Sequence, residues 1–145
     1  AINASLLEMP IYIDCSYGSL KLYENDNLRL ATIIASNVSN VPIILLHSGG
    51  SRILEAMLIA EAAQNVYLDM SFTITYYKDS SVEQDMAFAY KKIGYKRIIY
   101  GSDRPYVGEE DSKSETLKFL DKYNYKESEI DDIMFTNLQA VFKQN

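Results

Sequence analysis

The chain has 145 residues, of which 48% are hydrophobic and 23% are charged, a balance typical of one water-soluble globular domain and not of a disordered, collagenous or coiled-coil chain. Its formal charge of −6 and its isoelectric point of about 4.8 make nucleic acid and anionic membranes poor candidate partners. The single cysteine, Cys15, cannot form an internal disulfide, and the first residues lack the pattern of a signal peptide. A cytoplasmic protein with no membrane span is therefore predicted.

Four short segments rich in β-branched or aromatic residues predict β-strands. They are residues 10–13, 42–46, 66–70 and 97–100. Two of them are almost continuously apolar, which is typical of a parallel sheet buried on both faces. The sequence therefore predicts an α/β protein with a parallel sheet.

Amphipathic segments between the strands predict three helices. The first is expected to place Leu30, Ile33, Ile34 and Val38 on one face, and the second Leu54, Met57, Leu58 and Ala62. The third has Ser80 and Glu83 as a capping box and Gly94 just past its end. Strand and helix thus alternate, which favours right-handed β/α crossovers.

Two more helices are predicted after the last strand. Their starts are expected at the capping pairs Ser112 with Glu115 and Ser128 with Asp131. The acidic segment 107–114 is expected to be a loop.

Ionisable residues occur where each predicted strand ends, in the segments beginning at Asp14, His47, Asp69 and Gly101. The carboxyl ends of parallel strands meet at one edge of the sheet, where ligands bind in α/β folds. One imidazole among carboxylates suits Zn, Mn, Fe or Mg. The sequence therefore predicts a cation site, with Asp103 as the best candidate for the general base.

Each of these residues also has a structural interpretation. His47 alone would be a strand-end histidine satisfied by the main chain, Asp103 a turn aspartate, and Asp14 a strand-end cap. For Asp69 a structural hydrogen bond is the favoured role. Cys15 is interpreted as a small buried residue.

The positively charged and glycine-rich segments near these strand ends leave alternatives open. Arg104 and Arg52 could bind a substrate carboxylate, although surface ion pairs are at least as good an interpretation. Gly49 and Gly50 could form an anion nest, but the favoured interpretation is that they let the chain turn.

Three segments, in this order and spacing, resemble the carboxyl-terminal half of the amidohydrolase-related family of metal-dependent TIM barrels. They are Pro42-Ile-Ile-Leu-Leu-His47-Ser-Gly-Gly50, Asn65-Val-Tyr-Leu-Asp-Met-Ser71 and Arg97-Ile-Ile-Tyr-Gly-Ser-Asp-Arg-Pro105, followed by Asn137-Leu-Gln-Ala-Val-Phe142 in the closing helix. The resemblance implies that His47 binds metal and that Asp103 binds metal and takes the proton of the attacking water. Asp14 stands where many members have another histidine, and is expected as a further ligand.

The sequence departs from the family in two ways. The family's His-x-His pair has no counterpart, because the chain has one histidine. A complete barrel takes about 250 residues and eight strands, whereas four strands are predicted. Residues 1–145 are therefore predicted to form a single partial TIM-barrel domain. Open sheet edges need covering, so a homo-oligomer or a missing amino-terminal half-barrel is expected as partner, with a rearranged closure within the one chain as the alternative.

The leading functional hypothesis is metal-assisted hydrolysis or decarboxylation of a small carboxylate or lactone, with Zn as the favoured metal. Arg104 is the candidate substrate-binding residue. Two firm ligands are fewer than the three of catalytic zinc sites, so the isolated chain could be inactive. The alternatives are a non-catalytic half-barrel that serves as an assembly or ligand-binding module, and a complete small doubly wound domain.

Overall fold

A computed structural model describes residues 1–16 and 24–142. Within them, one sheet contains four parallel strands in the order β1-β2-β3-β4. The strands are β1 (Ile11–Asp14), β2 (Ile43–Leu46), β3 (Val66–Asp69) and β4 (Ile98–Ile99). The predicted strands and their parallel arrangement are thus confirmed.

Helices follow each strand, as the alternating sequence pattern predicted. They are α1 (Ile2–Leu6), α2 (Asn27–Asn37), α3 (Ile53–Ala62), α4 (Thr73–Tyr76), α5 (Ser81–Ile93), α6 (Glu109–Lys122), α7 (Glu127–Asp131) and α8 (Asn137–Phe142). A tight turn at His47–Arg52 joins β2 to α3, and a π-helical turn at Asp132–Thr136 joins α7 to α8. In the described part of the chain, no helix has the length and apolar character needed to cross a membrane.

The two faces of the sheet pack against different partners, because side chains alternate along a strand. On one face, Ile43, Leu45 and Leu68 belong to the main core with residues of α3 and α5. On the other face, Ile44 and Ile99 form a smaller cluster with Val141 of α8. The carboxyl-terminal helix therefore covers part of the face that would line the inside of a closed barrel.

The capping signals of α5 are confirmed. The Ser80 side chain accepts a hydrogen bond from the Glu83 main chain, and Gly94 ends the helix with a φ of 84°. Glycine suits this position because a Cβ disfavours positive φ.

The expected starts of the last two long helical segments were wrong. The first, α6, begins at Glu109 and not near Ser112, so the acidic segment expected as a loop forms the first turn of a helix. Acidic side chains are stabilised there by the helix dipole. The second, α7, begins at Glu127, where Glu129 accepts a hydrogen bond from the Lys126 main chain at 2.9 Å.

The expected apolar faces of α2 and α3 were also wrong in part. Five residues expected on the core face are exposed: Leu30, Ile33, Leu54, Leu58 and Ala62. Instead, α2 buries Leu28 and Ala31, and α3 buries Ile53, Ala56 and Ala60 in addition to Met57. Since α3 is apolar on nearly every side, its hydrophobic pattern does not select one face.

A buried carboxylate joins α5 to α6. Glu83 accepts hydrogen bonds from Lys122 at 2.6 Å, from the Tyr123 hydroxyl at 3.1 Å and from the Asp79 main chain at 2.5 Å. Burial alone would raise the pKa of Glu83, but these hydrogen bonds outweigh it and hold the pKa below the ordinary value. The ionised form of Glu83 is therefore favoured by folding.

The end of β4 passes very close to the end of β3. A Cβ atom on Gly101 would lie 2.7 Å from Asp69 Oδ2 and 3.0 Å from Ser71 Cβ. Because Asp69 is only 5% exposed, its carboxylate has little room to move away. Glycine at this position is therefore required by the approach of the two chain segments.

Replacing Glu83 by glutamine should lower the free energy of unfolding at pH 7 by about 1–3 kcal/mol, the range for hydrogen bonds to charged groups. A carboxyl with a lowered folded-state pKa stabilises the fold above its unfolded pKa and loses this contribution as the pH falls through the folded pKa. The deficit of Glu83→Gln should therefore shrink below about pH 4.3, the ordinary value of glutamate. Urea titrations across pH measure it, with Asp131→Asn, an exposed carboxylate at the end of α7, as control. A pH-independent deficit would contradict the assignment.

Replacing Gly101 by alanine should destabilise the protein by about 1–3 kcal/mol, the usual cost of overpacking. Gly108→Ala is the matched control, since its Cβ would meet only the flexible Asp111 carboxylate, at 3.1 Å. Urea unfolding compares the two variants. Equal losses of unfolding free energy in the two variants would show that the Asp69 carboxylate can move aside at little cost, and would contradict the requirement for glycine at position 101.

Candidate functional site

The predicted site residues from three strand ends lie together. The Nε2 atom of His47, which directly follows β2, lies 3.9 Å from Asp14 Oδ1 at the end of β1. The same atom lies 3.9 Å from Asp103 Oδ1, which follows β4. In the sequence, Asp14 lies 33 residues before His47 and Asp103 lies 56 residues after it. The fold brings the three side chains together, because parallel strands place their carboxyl ends at one edge of the sheet.

The other imidazole nitrogen has fixed partners. His47 Nδ1 lies 3.1 Å from the main-chain oxygen of Ser71 and 3.2 Å from its hydroxyl. The carbonyl can only accept, and the hydroxyl proton of Ser71 is directed to Asp69 Oδ1, so both neighbours act as acceptors. These partners assign the proton to Nδ1. The lone pair of Nε2 then faces Asp14 and Asp103.

Asp69 lies beneath this site and has the structural role favoured from the sequence. It accepts hydrogen bonds from the His47 main chain at 3.2 Å and from the Ser71 main chain at 3.0 Å, as well as from the Ser71 hydroxyl. Burial raises the pKa of Asp69 above its ordinary value, and the hydrogen bonds from Ser71 and His47 oppose that rise.

The chain between β2 and α3 has an unusual backbone. Four consecutive residues, His47, Ser48, Gly49 and Gly50, have φ values between 50° and 80°. The left-handed region costs a non-glycine residue about 1–3 kcal/mol. Ser48 offsets part of this cost by donating to the main-chain oxygen of Asp69 at 2.6 Å and accepting from the Tyr90 hydroxyl at 2.9 Å.

The two glycines of this turn serve its conformation. Both are buried, and a Cβ on Gly50 would lie 2.9 Å from the main-chain oxygen of Ser16. This agrees with the interpretation that they let the chain turn.

Asp103 and Asp14 differ in exposure. The side chain of Asp103 is 22% exposed and that of Asp14 is 50% exposed, whereas the His47 side chain is 12% exposed. Asp103 also forms a turn, because its main-chain oxygen accepts from Tyr106 at 2.9 Å. Its main chain therefore has the structural role considered from the sequence, while its carboxylate faces the imidazole.

The two arginines considered as carboxylate-binding residues lie in surface ion pairs. Arg104 is 3.7 Å from Glu109, and both side chains are largely exposed. Arg52 pairs with Glu55 at 2.6 Å and with Asp26 at 3.1 Å.

Two residues that contact the imidazole, and a third that packs on one of them, were not singled out from the sequence. Ser71 contacts His47 Nδ1, and the ring of Phe72 meets the imidazole edge-on with ring centres 6.2 Å apart. Tyr76 stacks on Phe72 at 5.0 Å. For Ser71 and Phe72, the position shortly after β3 was the only available signal, because no spacing rule links them to His47.

Cys15 is buried, as expected. Burial, together with the nearby Asp14 carboxylate, raises the pKa of its thiol to about 12. The thiol is therefore protonated at neutral pH and is a poor nucleophile and metal ligand.

The arrangement fits part of a cation site. Bonds of about 2.1 Å from a cation to nitrogen and oxygen span at most about 4.2 Å, so 3.9 Å between Nε2 and either carboxylate oxygen allows one cation to contact both atoms. Across residues 1–16 and 24–142, however, no three His, Cys, Asp or Glu side chains form a ready ligand cluster. His47, Asp14 and Asp103 could therefore supply only part of the ligands of a cation.

Solved structures share this fold. An uncharacterised TIM-barrel protein from Bordetella bronchiseptica aligns with a TM-score of 0.79 at 12% identity, over 99% of this chain and 48% of its own. A Burkholderia multivorans amidohydrolase with bound zinc aligns with a TM-score of 0.68 at 10% identity, over 96% of this chain and 54% of its own. A Polaromonas dihydroxybenzoic acid decarboxylase with bound manganese and an inhibitor aligns with a TM-score of 0.57 at 15% identity, over 98% of this chain and 52% of its own.

These matches show a partial TIM barrel, as the sequence predicted, and the chain spans about half the length of the structures it matches. No curated protein matches the sequence. The family model described as amidohydrolase matches residues 22–143. Since this match covers most of the sequence, the chain belongs to the amidohydrolase family.

Proposed function

We propose that this chain provides part of the active site of a metal-dependent hydrolase or decarboxylase that acts on a small carboxylate or lactone. The observation that carries the proposal is the position of His47 Nε2, 3.9 Å from the carboxylates of both Asp14 and Asp103. An imidazole lone pair that faces two carboxylates at the carboxyl edge of a parallel sheet is an arrangement suited to a divalent cation.

Zinc is the first candidate, with manganese, iron or magnesium as alternatives. The family membership supports this choice, and so do the bound zinc and manganese of the two solved structures described above. His47 Nε2, Asp14 and Asp103 would hold the cation. When bound, a divalent cation lowers the pKa of water toward neutrality and polarises a carbonyl oxygen.

Asp103 is proposed to take the proton of the attacking water. Its carboxylate is more buried than that of Asp14 and lies beside the imidazole, so it can receive a proton next to the reacting group. His47 keeps its own proton on Nδ1, where Ser71 accepts it. The two residues therefore have separate tasks, since His47 binds and Asp103 moves the proton.

Arg104 is proposed to bind the substrate carboxylate. Its side chain is 74% exposed, and its guanidinium pairs only loosely with Glu109, at 3.7 Å. Exposed ion pairs of this kind contribute little stability, so exchange of Glu109 for a substrate carboxylate would cost little.

The second candidate function is a non-catalytic half-barrel that serves as an assembly or ligand-binding module. It is favoured by the lack of a ready three-residue ligand cluster within the described ranges. The two proposals differ in whether the protein binds a metal.

A partner is proposed to complete the barrel, either a second copy of this chain or an amino-terminal half-barrel. In the described structure β1 and β4 lie at the two edges of the sheet, and Tyr12 on β1 is 45% exposed. An uncovered strand edge offers unpaired main-chain groups to another strand. Such a partner would also supply further ligands to the open site.

Protein purified without chelator should contain a divalent metal, and His47→Ala should lose it, because the imidazole is the central ligand. Asp14→Asn and Asp103→Asn should reduce the metal content less strongly. Elemental analysis measures the content, with Asp131→Asn, an exposed carboxylate on α7, as the control. A parent protein without metal would contradict the metal-dependent proposal and favour the non-catalytic module.

Light scattering should give a molar mass of about twice the 16.5 kDa chain mass if a second copy covers the sheet edges. A monomer would contradict the second copy and leave the amino-terminal half-barrel. That alternative is tested by the coding sequence upstream, which should then encode a His-x-His pair after an apolar strand.

A further inference from the structure

One oxygen atom of a buried carboxylate organises the residues beneath the proposed cation site. Asp69 Oδ1 accepts from the His47 main chain at 3.2 Å, from the Ser71 main chain at 3.0 Å and from the Ser71 hydroxyl. A buried carboxylate is stable only when donors satisfy it. The donors here belong to the histidine and to the serine that contacts its ring.

The bond from Ser71 decides what its hydroxyl offers to the imidazole. A serine hydroxyl has one proton and two lone pairs. Because Asp69 takes the proton, only a lone pair remains for His47 Nδ1, at 3.2 Å. If the carboxylate were absent, the hydroxyl could rotate and donate to Nδ1. The imidazole proton could then move to Nε2, which removes the lone pair that faces Asp14 and Asp103.

Asp69 also holds the main chain of His47 in place. His47 and Ser48 have φ values of 60° and 50°, a region that non-glycine residues rarely adopt. The side chain of Asp69 accepts from the first of them, and its main-chain oxygen accepts from the hydroxyl of the second at 2.6 Å. The same aspartate thus sets both the place and the protonation pattern of the imidazole.

We propose that Asp69 is a positioning residue that keeps the proton of His47 on Nδ1, acting through the hydroxyl of Ser71. It touches neither the proposed cation nor the substrate. The inference deepens the proposed function, since the freed Nε2 is the atom proposed to bind the cation. The position of the proton can nevertheless be measured without metal or substrate, so the two proposals can fail independently.

The chain has one histidine, so a sample labelled with ¹⁵N-histidine gives a single imidazole pattern in NMR. In chelator-treated parent protein, above the imidazole pKa, Nδ1 should have the shift of a protonated nitrogen and Nε2 that of an unprotonated one. Asp69→Ala should move both shifts toward intermediate values, because the proton is then shared between the two nitrogens.

A double variant tests the route through Ser71. In Ser71→Ala the main-chain oxygen remains as an acceptor for Nδ1, so the parent pattern should persist. In Asp69→Ala/Ser71→Ala no hydroxyl can donate to Nδ1, and the parent pattern should return. A purely structural role of Asp69 would not be rescued by removal of a second hydrogen-bonding group.

Tyr90→Phe is the matched control, because it removes a buried hydrogen bond to Ser48 without touching Ser71 or Asp69. Its imidazole pattern should equal that of the parent. An unchanged pattern in Asp69→Ala, or intermediate shifts that persist in the double variant, would overturn the proposal. If Asp69→Ala does not fold, the parent spectrum still decides, since an imidazole protonated on Nε2 would overturn the proposal by itself.

Zinc titration of the same variants separates this inference from the proposed function. Asp69→Ala should bind zinc about 10–100-fold more weakly than the parent, the range for residues that orient a metal ligand. Parent protein that shows the expected imidazole pattern but binds no zinc would contradict the proposed function and support the role of Asp69. Parent protein that binds zinc but has the imidazole proton on Nε2 when zinc is removed would support the proposed function and contradict the role of Asp69.

Discussion

The hydrogen bonds to the Asp69 carboxylate are the interaction on which the candidate site depends. They join the end of β3 to the turn after β2, because Asp69 accepts from the His47 main chain. They also limit what may follow β4, since only glycine at position 101 leaves room for the carboxylate. A buried acid is costly unless donors satisfy it, so this one side chain joins the ends of β2 and β3 and restricts the residue that follows β4.

Much of the fold could be predicted because its signals are local. The apolar segments that form β2 and β3, and the Ser80 and Gly94 caps of α5, specify their elements without reference to the rest of the chain. Parallel pairing then places the strand ends at one edge. For this reason His47, Asp14 and Asp103 could be predicted to meet, although they are far apart in sequence.

Other features could not be predicted because they depend on tertiary packing. On α3 almost every position is apolar, so the buried face is decided by which residues meet the sheet, and Leu54 and Leu58 remain exposed. The role of Ser71 depends on where the His47 ring lies, and no sequence spacing records that. Likewise, the pairing of Arg104 with Glu109 follows from the start of α6, which the capping pattern misplaced.

The two faces of the sheet pack against different partners. This difference explains how a half-barrel can have a covered core beside a candidate site that is partly exposed. In a closed barrel the inner face is filled by side chains from all eight strands. Here α8 takes over part of that task, because Val141 packs with Ile44 and Ile99. The apolar inner positions are thereby shielded, whereas the polar groups of Asp14 and Asp103 at the carboxyl edge keep part of their exposure. Under the proposed function, the carboxyl edge would therefore need further ligands and not a further core, and these ligands are what the proposed partner would supply.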